Sequence, residues 1–508
     1  MASISLVLTI CVLGFYVPAP SLASPSDGND FLRCLSTDVP GQLVQTPSSP
    51  SFKQLLVSSI RNARFVAPAT ARPPICIVTP TNASHVQAAV RCGRRHGVRV
   101  RVRSGGHDYE GLSYRSVYPN SEAFAVIDLA KLHAVRVDPR KATAWVDSGA
   151  ALGELYYHVA TAAPGLGFPA GVCSTVGVGG ILSGGGMGLM MRKYGLSADN
   201  VLDATIVDAY GNLLADKKAM GDDLFWAIRG SGGGNFGIVL SWKVRLVPVP
   251  PTVTFVKVAR TMEQGAVDSV TKWQTLAPAL PDDLSQRGGD DDGEPVPRAQ
   301  GDDRRLQGDE LAAVHGVHIL RRRHQQQASG GAPPQPVHAL GQFVKNKSDY
   351  VKKPLTKETW EKIFRWPNGT ATGQLVLEPH GGIMGRITAD DIPFPHRSSV
   401  LYNIQYVEFW NGTAPGGDVM PKWVGSLYDF MAPFVSKNPR GAYVNYRDLD
   451  LGTNKVVDGV TSYESAKGWG ESYFGPKNFR RLAEIKHKVD AGDYFHSEQS
   501  IPPLPVKQ

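Results

Sequence analysis

The chain has 508 residues, 42% hydrophobic and 20% charged, an ordinary globular balance that excludes a collagen-like or wholly disordered protein and leaves room for about three domain-sized units. Its formal charge of +8 favours anionic surfaces without specifying one. The arginines from Val98 to Arg103 alternate with valine, as on a half-buried strand with a solvated face, so nucleic acid is not implied.

Residues 1–23 carry no charged side chain, are apolar from Leu6 to Val17 and end Ser21-Leu22-Ala23, the pattern of a secretory signal cleaved before Ser24. No later run approaches the length of a membrane span. Export agrees with four N-x-S/T triplets, at Asn82, Asn346, Asn368 and Asn411, which are the candidate glycosylation sites. Cleavage would remove Cys11 and leave Cys34, Cys76, Cys92 and Cys173, which allow three complete pairings. Cys34 and Cys92, with polar neighbours, are the candidate disulfide; Cys76, inside the apolar run Pro74 to Pro80, reads as a buried thiol.

In chain order, Phe31 to Val66 is a helical entry segment, Ile75 to Pro80 a strand and Ala83 to His96 a helix. The strand Val98 to Arg103 then meets the turn Ser104-Gly-Gly-His107. Short strands follow at Ala123 to Leu129, Ala134 to Val137 and Ala144 to Val146, then a helix from Leu152 to Ala162. Gly165 to Gly188 is too glycine-rich for a regular helix, since each glycine costs about 1 kcal/mol there against alanine. A second cluster, Gly230 to Gly237, lies between the helix Asp222 to Arg229 and the strand Ile238 to Leu246, and Pro248, Pro250 and Pro251 mark a boundary. Beyond it come a helix from Val267 to Leu276, strands at Leu375 to Leu377 and Val400 to Phe409, and a late helix opened by Pro476 with Phe479, Leu482, Ile485 and Val489 on one face. No Phe, Trp or Tyr occurs from Gln274 to Gln342. Such a stretch cannot build a normal core; it is a disordered insertion or a mistranslated segment, and the abrupt return of ordinary sequence at Phe343 favours the second.

Glycine clusters let backbone N–H groups approach an anionic cofactor without side-chain hindrance. Gly165-Leu-Gly167-Phe-Pro169-Ala170 matches a dinucleotide fingerprint in letters, but Pro169 and the missing strand before it spoil the context, and no Walker A loop is present. His107 and Cys173 each lie on such a loop. No metal-ligand spacing accompanies them, and no orienting group for a hydrolase.

Five segments, RSGGHDYEGLSY from Arg103, GVCSTVGVGGILSGGGMG from Gly171, RGSGGGNFGIV from Arg229, YNIQY from Tyr402 and NYRDLDLG from Asn445, together resemble the plant berberine bridge enzyme-like family. The likeness spans Phe31 to Trp273 and Phe343 to Pro503. It implies an α+β fold: a two-part FAD-binding domain over residues 24–248, a substrate domain over 249–442 with an antiparallel sheet covered by helices, and a C-terminal segment, 443–508, returning to the FAD domain. Residues 285–341 are the anomaly within the substrate domain. The implied cofactor is FAD attached twice, His107 to the flavin 8-methyl and Cys173 to C6, with the hydride passing to flavin N5. Cofactor contacts are implied for Arg103, Ser104, Gly105, Gly106, Gly177, Gly179, Gly180, Gly184, Gly185, Gly234, Asn235 and Gly237. Tyr109, Gln405, Tyr443 and Tyr446 fall on the substrate side, with a tyrosine as base, and a phenol of pKa near 10 needs a cation or hydrogen bonds to serve. Met187 stands where relatives acting on alcohols often have tyrosine, and Ile181 replaces a common histidine.

The resulting expectation is a secreted FAD oxidase, extracellular, cell-wall or vacuolar. Its substrate is a monolignol-like alcohol or the anomeric hydroxyl of an oligosaccharide, and oxygen or another acceptor takes the electrons. Oxidative cyclisation of a specialised metabolite, or an inactive binding protein left by the anomalous segment, are the alternatives. No metal and no nucleic acid enter this reading.

Overall fold

The structure, a computed structural model, describes residues 25–66, 73–116, 123–253, 258–284, 317–319, 342–366, 372–411 and 423–505. The expected signal segment, and the anomalous stretch apart from Val317–Ile319, lie outside the described residues, as does Asn368. Val317–Ile319 pairs in parallel with Val258–Arg260.

Three sheets organise the described chain. In the first, Val44–Gln45, Cys76–Val78, Phe124–Asp128 and Arg99–Arg103 lie side by side in that order, the last three parallel. Parallel strands need crossovers, and the helix Ala83–Arg95 supplies the first. Its apolar residues pack with the helix Pro25–Asp38 into one core containing Phe31, Leu35, Val86, Val90 and Ile127. Cys34 and Cys92 join these helices by a disulfide across 58 residues, a loop whose closure in the unfolded chain is worth about 4 kcal/mol in the chain-entropy account. Cys76 is buried, and desolvation pushes its thiol up to about 12, so it is unreactive.

The second sheet is antiparallel: Val135–Asp138, Thr143–Asp147, Ile238–Arg245, Val201–Val207 and Leu213–Leu214. Its core takes in Trp469, Tyr473, Phe479 and Leu482 from the late helix Tyr463–Val489, which breaks at Gly475 (φ 70°) just before Pro476. The third sheet, also antiparallel, sets Tyr402–Asn411 between Gln342–Val351 and Thr372–Pro379. Strand alternation divides its faces: Leu375, Leu377, Tyr402, Ile404 and Tyr406 pack under the helices Ala266–Leu276, Lys357–Phe364 and Trp423–Met431. The registers Ser348 with Gln405, Gln405 with Val376 and Asn403 with Glu378 put those residues on the opposite face. Among the described residues no helix is long and apolar enough to cross a membrane.

Three expectations are corrected. Arg101 and Arg103 do not face solvent: both are buried, Arg101 lying 3.0 Å from Glu498 and Arg103 2.5 Å from Asp128, because the face that the alternation exposes is covered by segments far away in the chain, Glu498 over Arg101 and Leu55 and Leu56 over Arg103. The glycine-rich stretch does hold a short helix, Val178–Ser183. A Cβ on Gly179 would come within 2.9 Å of Ser148, so close packing outweighs the helix propensity lost. Asn346 cannot carry a glycan: it is 1% exposed, and its Oδ1 accepts from Gln405 Nε2 at 2.9 Å.

Candidate active site

A cavity of ≈ 370 Å³ opens where the polar face of the third sheet meets the loops of the first two. Its wall on the side of the first two sheets is rich in glycine, with Ser104 to His107, Gly171 to Cys173, Gly177, Gly179, Gly180, Gly233, Gly234 and Gly237 lying beside side-chain-bearing residues such as Val100, Arg101, Val102, Ile238 and Val239. Two of these glycines close the loops on each other. A Cβ on Gly105 would lie 2.4 Å from Gly177 N, and one on Gly177 would lie 2.3 Å from Gly105 N. At Gly180 and Gly234 an added Cβ would meet no protein atom within 4 Å, so these positions form an open cradle beside backbone groups.

The two candidate nucleophiles come together there. His107 Nε2 lies 3.0 Å from Thr175 Oγ1, and Cys173 Sγ, an exposed free thiol, lies 3.5 Å from the same hydroxyl. Ser104 Oγ donates to the carbonyl of Ser148 at 2.6 Å, and Asp108, next to His107, takes Arg447 Nε at 3.1 Å. Four residues expected to touch the cofactor do not line the cavity. Arg103 is turned into the protein, bonding Asp128 and the carbonyls of Leu55 and Leu56. Asn235 ties Ser231, Gly232 and Ile501 together. Gly184 and Gly185 instead admit side chains of the opposite wall, a Cβ on Gly184 falling 1.9 Å from Asn445 Oδ1.

Tyr109, Gln405, Tyr443 and Tyr446 all line the cavity. Gln405 Nε2 donates to Tyr109 Oη at 2.9 Å. Tyr446 stands edge-on to both Tyr109 and Tyr443, with centroids 6.2 and 5.0 Å away. Tyr443 Oη accepts from Gly186 N, Met187 N and Asn445 Nδ2 at 2.9, 3.2 and 2.9 Å. These bonds favour the phenolate, yet burial outweighs them and pushes its pKa up to about 12. Tyr446 Oη donates to Glu378 Oε2 at 3.0 Å, giving that phenol a carboxylate to receive its proton.

Glu378 and Thr175 escaped the reading of the sequence. Glu378 follows the apolar run Leu375-Val376-Leu377, and a carboxylate ending such a run was the available signal; Thr175 had none. The two tyrosine-bearing loops are fixed by a buried charge cluster. Lys345 Nζ bonds Glu110 and Asp448 at 2.6 and 2.7 Å, and Lys347 Nζ bonds Asp448 and Asp450 at 2.8 and 2.7 Å. The surrounding carboxylates hold Lys345 in its charged form against desolvation, its pKa rising.

Comparison with known proteins agrees with this arrangement. The family profile described as FAD binding domain matches residues 74–216, and that described as berberine and berberine like matches 442–502. Berberine bridge enzyme-like Cyn d 4 of Cynodon dactylon is 51% identical over 501 residues, covering 94% of this chain and 93% of that protein. Tetrahydroberberine oxidase of Berberis wilsoniae is 40% identical over 554 residues, covering 99% of each. The crystal structure of Phl p 4, described as a grass pollen allergen with glucose dehydrogenase activity, superposes with a TM-score of 0.82 at 46% identity, covering 94% of this chain and 100% of that one. The open cradle at Gly180 and Gly234 and the glycine-rich wall suit the phosphates and ring of FAD. Matched to such relatives over nearly its whole length, with the glycine-lined cavity in place, the chain belongs to the berberine bridge enzyme-like family and is an FAD-dependent oxidoreductase.

Proposed function

We propose that the protein is a secreted oxidase that holds FAD through two bonds, from His107 and Cys173, and oxidises an alcohol carbon. FAD bound there supplies the two-electron acceptor, itself reoxidised by oxygen or another acceptor. The observation that carries this reading is that both nucleophiles and the Tyr446–Glu378 hydrogen bond open into one cavity. Tyr446 Oη takes the substrate hydroxyl proton and Glu378 receives the phenol's own, so no free phenolate is needed. Tyr443, held neutral by burial, and the Gln405–Tyr109 pair orient the substrate.

A sugar anomeric hydroxyl is the first substrate class, supported by the glucose dehydrogenase activity described for Phl p 4. Val172 and Leu189, exposed apolar residues at the cavity mouth, favour the ring of a monolignol-like alcohol as the second. Secretion is supported by the disulfide, which belongs to an oxidising compartment. Asn82, exposed as the N-cap of the helix Ala83–Arg95, is a candidate glycan site, together with Asn368 and Asn411.

The test is acid precipitation of the purified protein, followed by dye reduction with D-glucose, cellobiose and coniferyl alcohol. Flavin colour in the pellet and turnover with one of these support the reading. With Glu378→Gln or Tyr446→Phe, turnover should fall about 100-fold or more, the range of a positioned proton acceptor, while flavin content holds. A colourless pellet, or a yellow protein inert to all three, points to a binding protein or to oxidative cyclisation.

A further inference from the structure

We propose that Thr175 is a positioning residue for flavin attachment, its hydroxyl joining His107 and Cys173 into one hydrogen-bonded unit that readies the thiol to bond FAD. The inference rests on the two-bond reading above. His107 Nε2 and Cys173 Sγ stand 3.0 and 3.5 Å from Thr175 Oγ1, and a hydroxyl can accept from one partner while donating to another. The hydroxyl's place is set by its own main chain. The Thr175 carbonyl lies 3.0 Å from where a Gly105 Cβ would be, at the point where the Gly105 and Gly177 backbones meet. The loop carrying His107 and the loop carrying Cys173 are therefore locked at the residue that touches both nucleophiles.

The chemistry gives this contact a task. Bonding Cys173 to the flavin exchanges one S–H and one ring C–H for a C–S bond; two protons leave, and two electrons pass to dioxygen or to the acceptor that serves turnover. The thiolate is the reactive form, so the thiol proton needs a destination inside the site. With His107 joined to the flavin through Nδ1, its Nε2 carries a lone pair. Thr175 Oγ1 takes the proton from Sγ as it gives its own to Nε2. The first bond thus makes the base that assists the second. In His107→Ala the bond at Cys173 still forms, more slowly, with solvent as the proton's destination.

The experiment is peptide mapping by mass spectrometry of wild type, Thr175→Val, Thr175→Ala and Thr175→Ser, harvested at equal times, with melting temperatures as a check on folding. In the valine and alanine variants the flavin should stay with the acid pellet through His107, while the fraction of Cys173 carrying flavin falls about tenfold, the weight of one hydrogen bond. Serine should restore it. Wild-type occupancy of Cys173 in both the valine and alanine variants overturns the proposal, as does a serine variant no better than valine. Release of flavin by the wild type overturns the two-bond reading itself, an outcome recognisable without any Thr175 variant.

Discussion

The two walls of the cavity are built by opposite means. On the wall proposed to hold the cofactor, glycines bring loops together and leave open space at Gly180 and Gly234. The wall proposed to face the substrate presents the side chains of Glu378, Gln405, Tyr443 and Tyr446, held by a sheet register and a buried cluster of lysines and carboxylates. The first wall works by what it lacks, and any added atom is a fault. The second works by what it presents, and its faults are unpaired charges. A cofactor kept through every turnover suits a surface that only has to fit, whereas a substrate that must be turned and deprotonated needs groups that can be aimed.

The sharpest way to break this contrast is Gly177→Ala. The added Cβ would fall 2.1 Å from Ser104 Oγ and 2.3 Å from Gly105 N; because one of these is backbone, the loops must separate, and the expected outcome is no yellow, folded protein by absorbance and circular dichroism. On the other wall, Lys345→Met leaves Glu110 without its ammonium partner. Breaking a buried pair costs about 3–5 kcal/mol, and the lower figure is expected because Lys347 still bonds Asp448 and Arg115 lies 3.9 Å from Glu110; urea unfolding reads it.

Gly180→Ala sharpens the contrast from within the cofactor wall. Its Cβ meets no protein atom, and alanine suits a helix better by about 1 kcal/mol, so stability should hold or rise while flavin content falls. If flavin stays at wild-type level, the cradle is not where the cofactor lies. The smallest effect is a pH dependence from the third sheet. His380 is fully buried, and desolvation lowers its pKa to about 4, below the unfolded value. The unfolded chain therefore binds more protons between that value and about 6.5, and stability should fall as pH drops through this window. A melting-temperature series, flatter in His380→Asn, checks it.

The same contrast explains what could be read from the amino acids. His107 and Cys173 each have glycines as near neighbours in the chain, so two local stretches announce an anionic ligand, and the motif resemblance named it. Paired strands and amphipathic helices were legible for the same local reason: Leu152–Ala162 and Ala266–Leu276 differ from expectation by at most one residue at an end. Burial of Arg101 and Arg103 was not legible, because strand alternation says which residues share a face but not that Glu498 and the Leu55–Leu56 segment will cover it. Glu378 was hidden for a related reason. It reaches Tyr446 from a strand whose register sets Asn403 opposite it, information carried by two strands and a distant loop at once. At Gly184, Gly185 and Asn235 the structure shows close contacts with protein, which the glycine excess alone does not announce.

The far end of the chain also walls this cavity. His496 and Ser497 line it, Glu498 stands against Arg101, and Tyr494 and Phe495 complete the core of the first sheet, whose strands were made hundreds of residues earlier. Chains are synthesised from the N-terminus and fold largely in that order, so an intermediate that still lacks Tyr494 to Glu498 has both glycine loops but no closed chamber around them. Closure of the chamber therefore waits for this segment, and a protein shortened before Tyr494 would be made with an open vessel, unable to keep what it was shaped to hold.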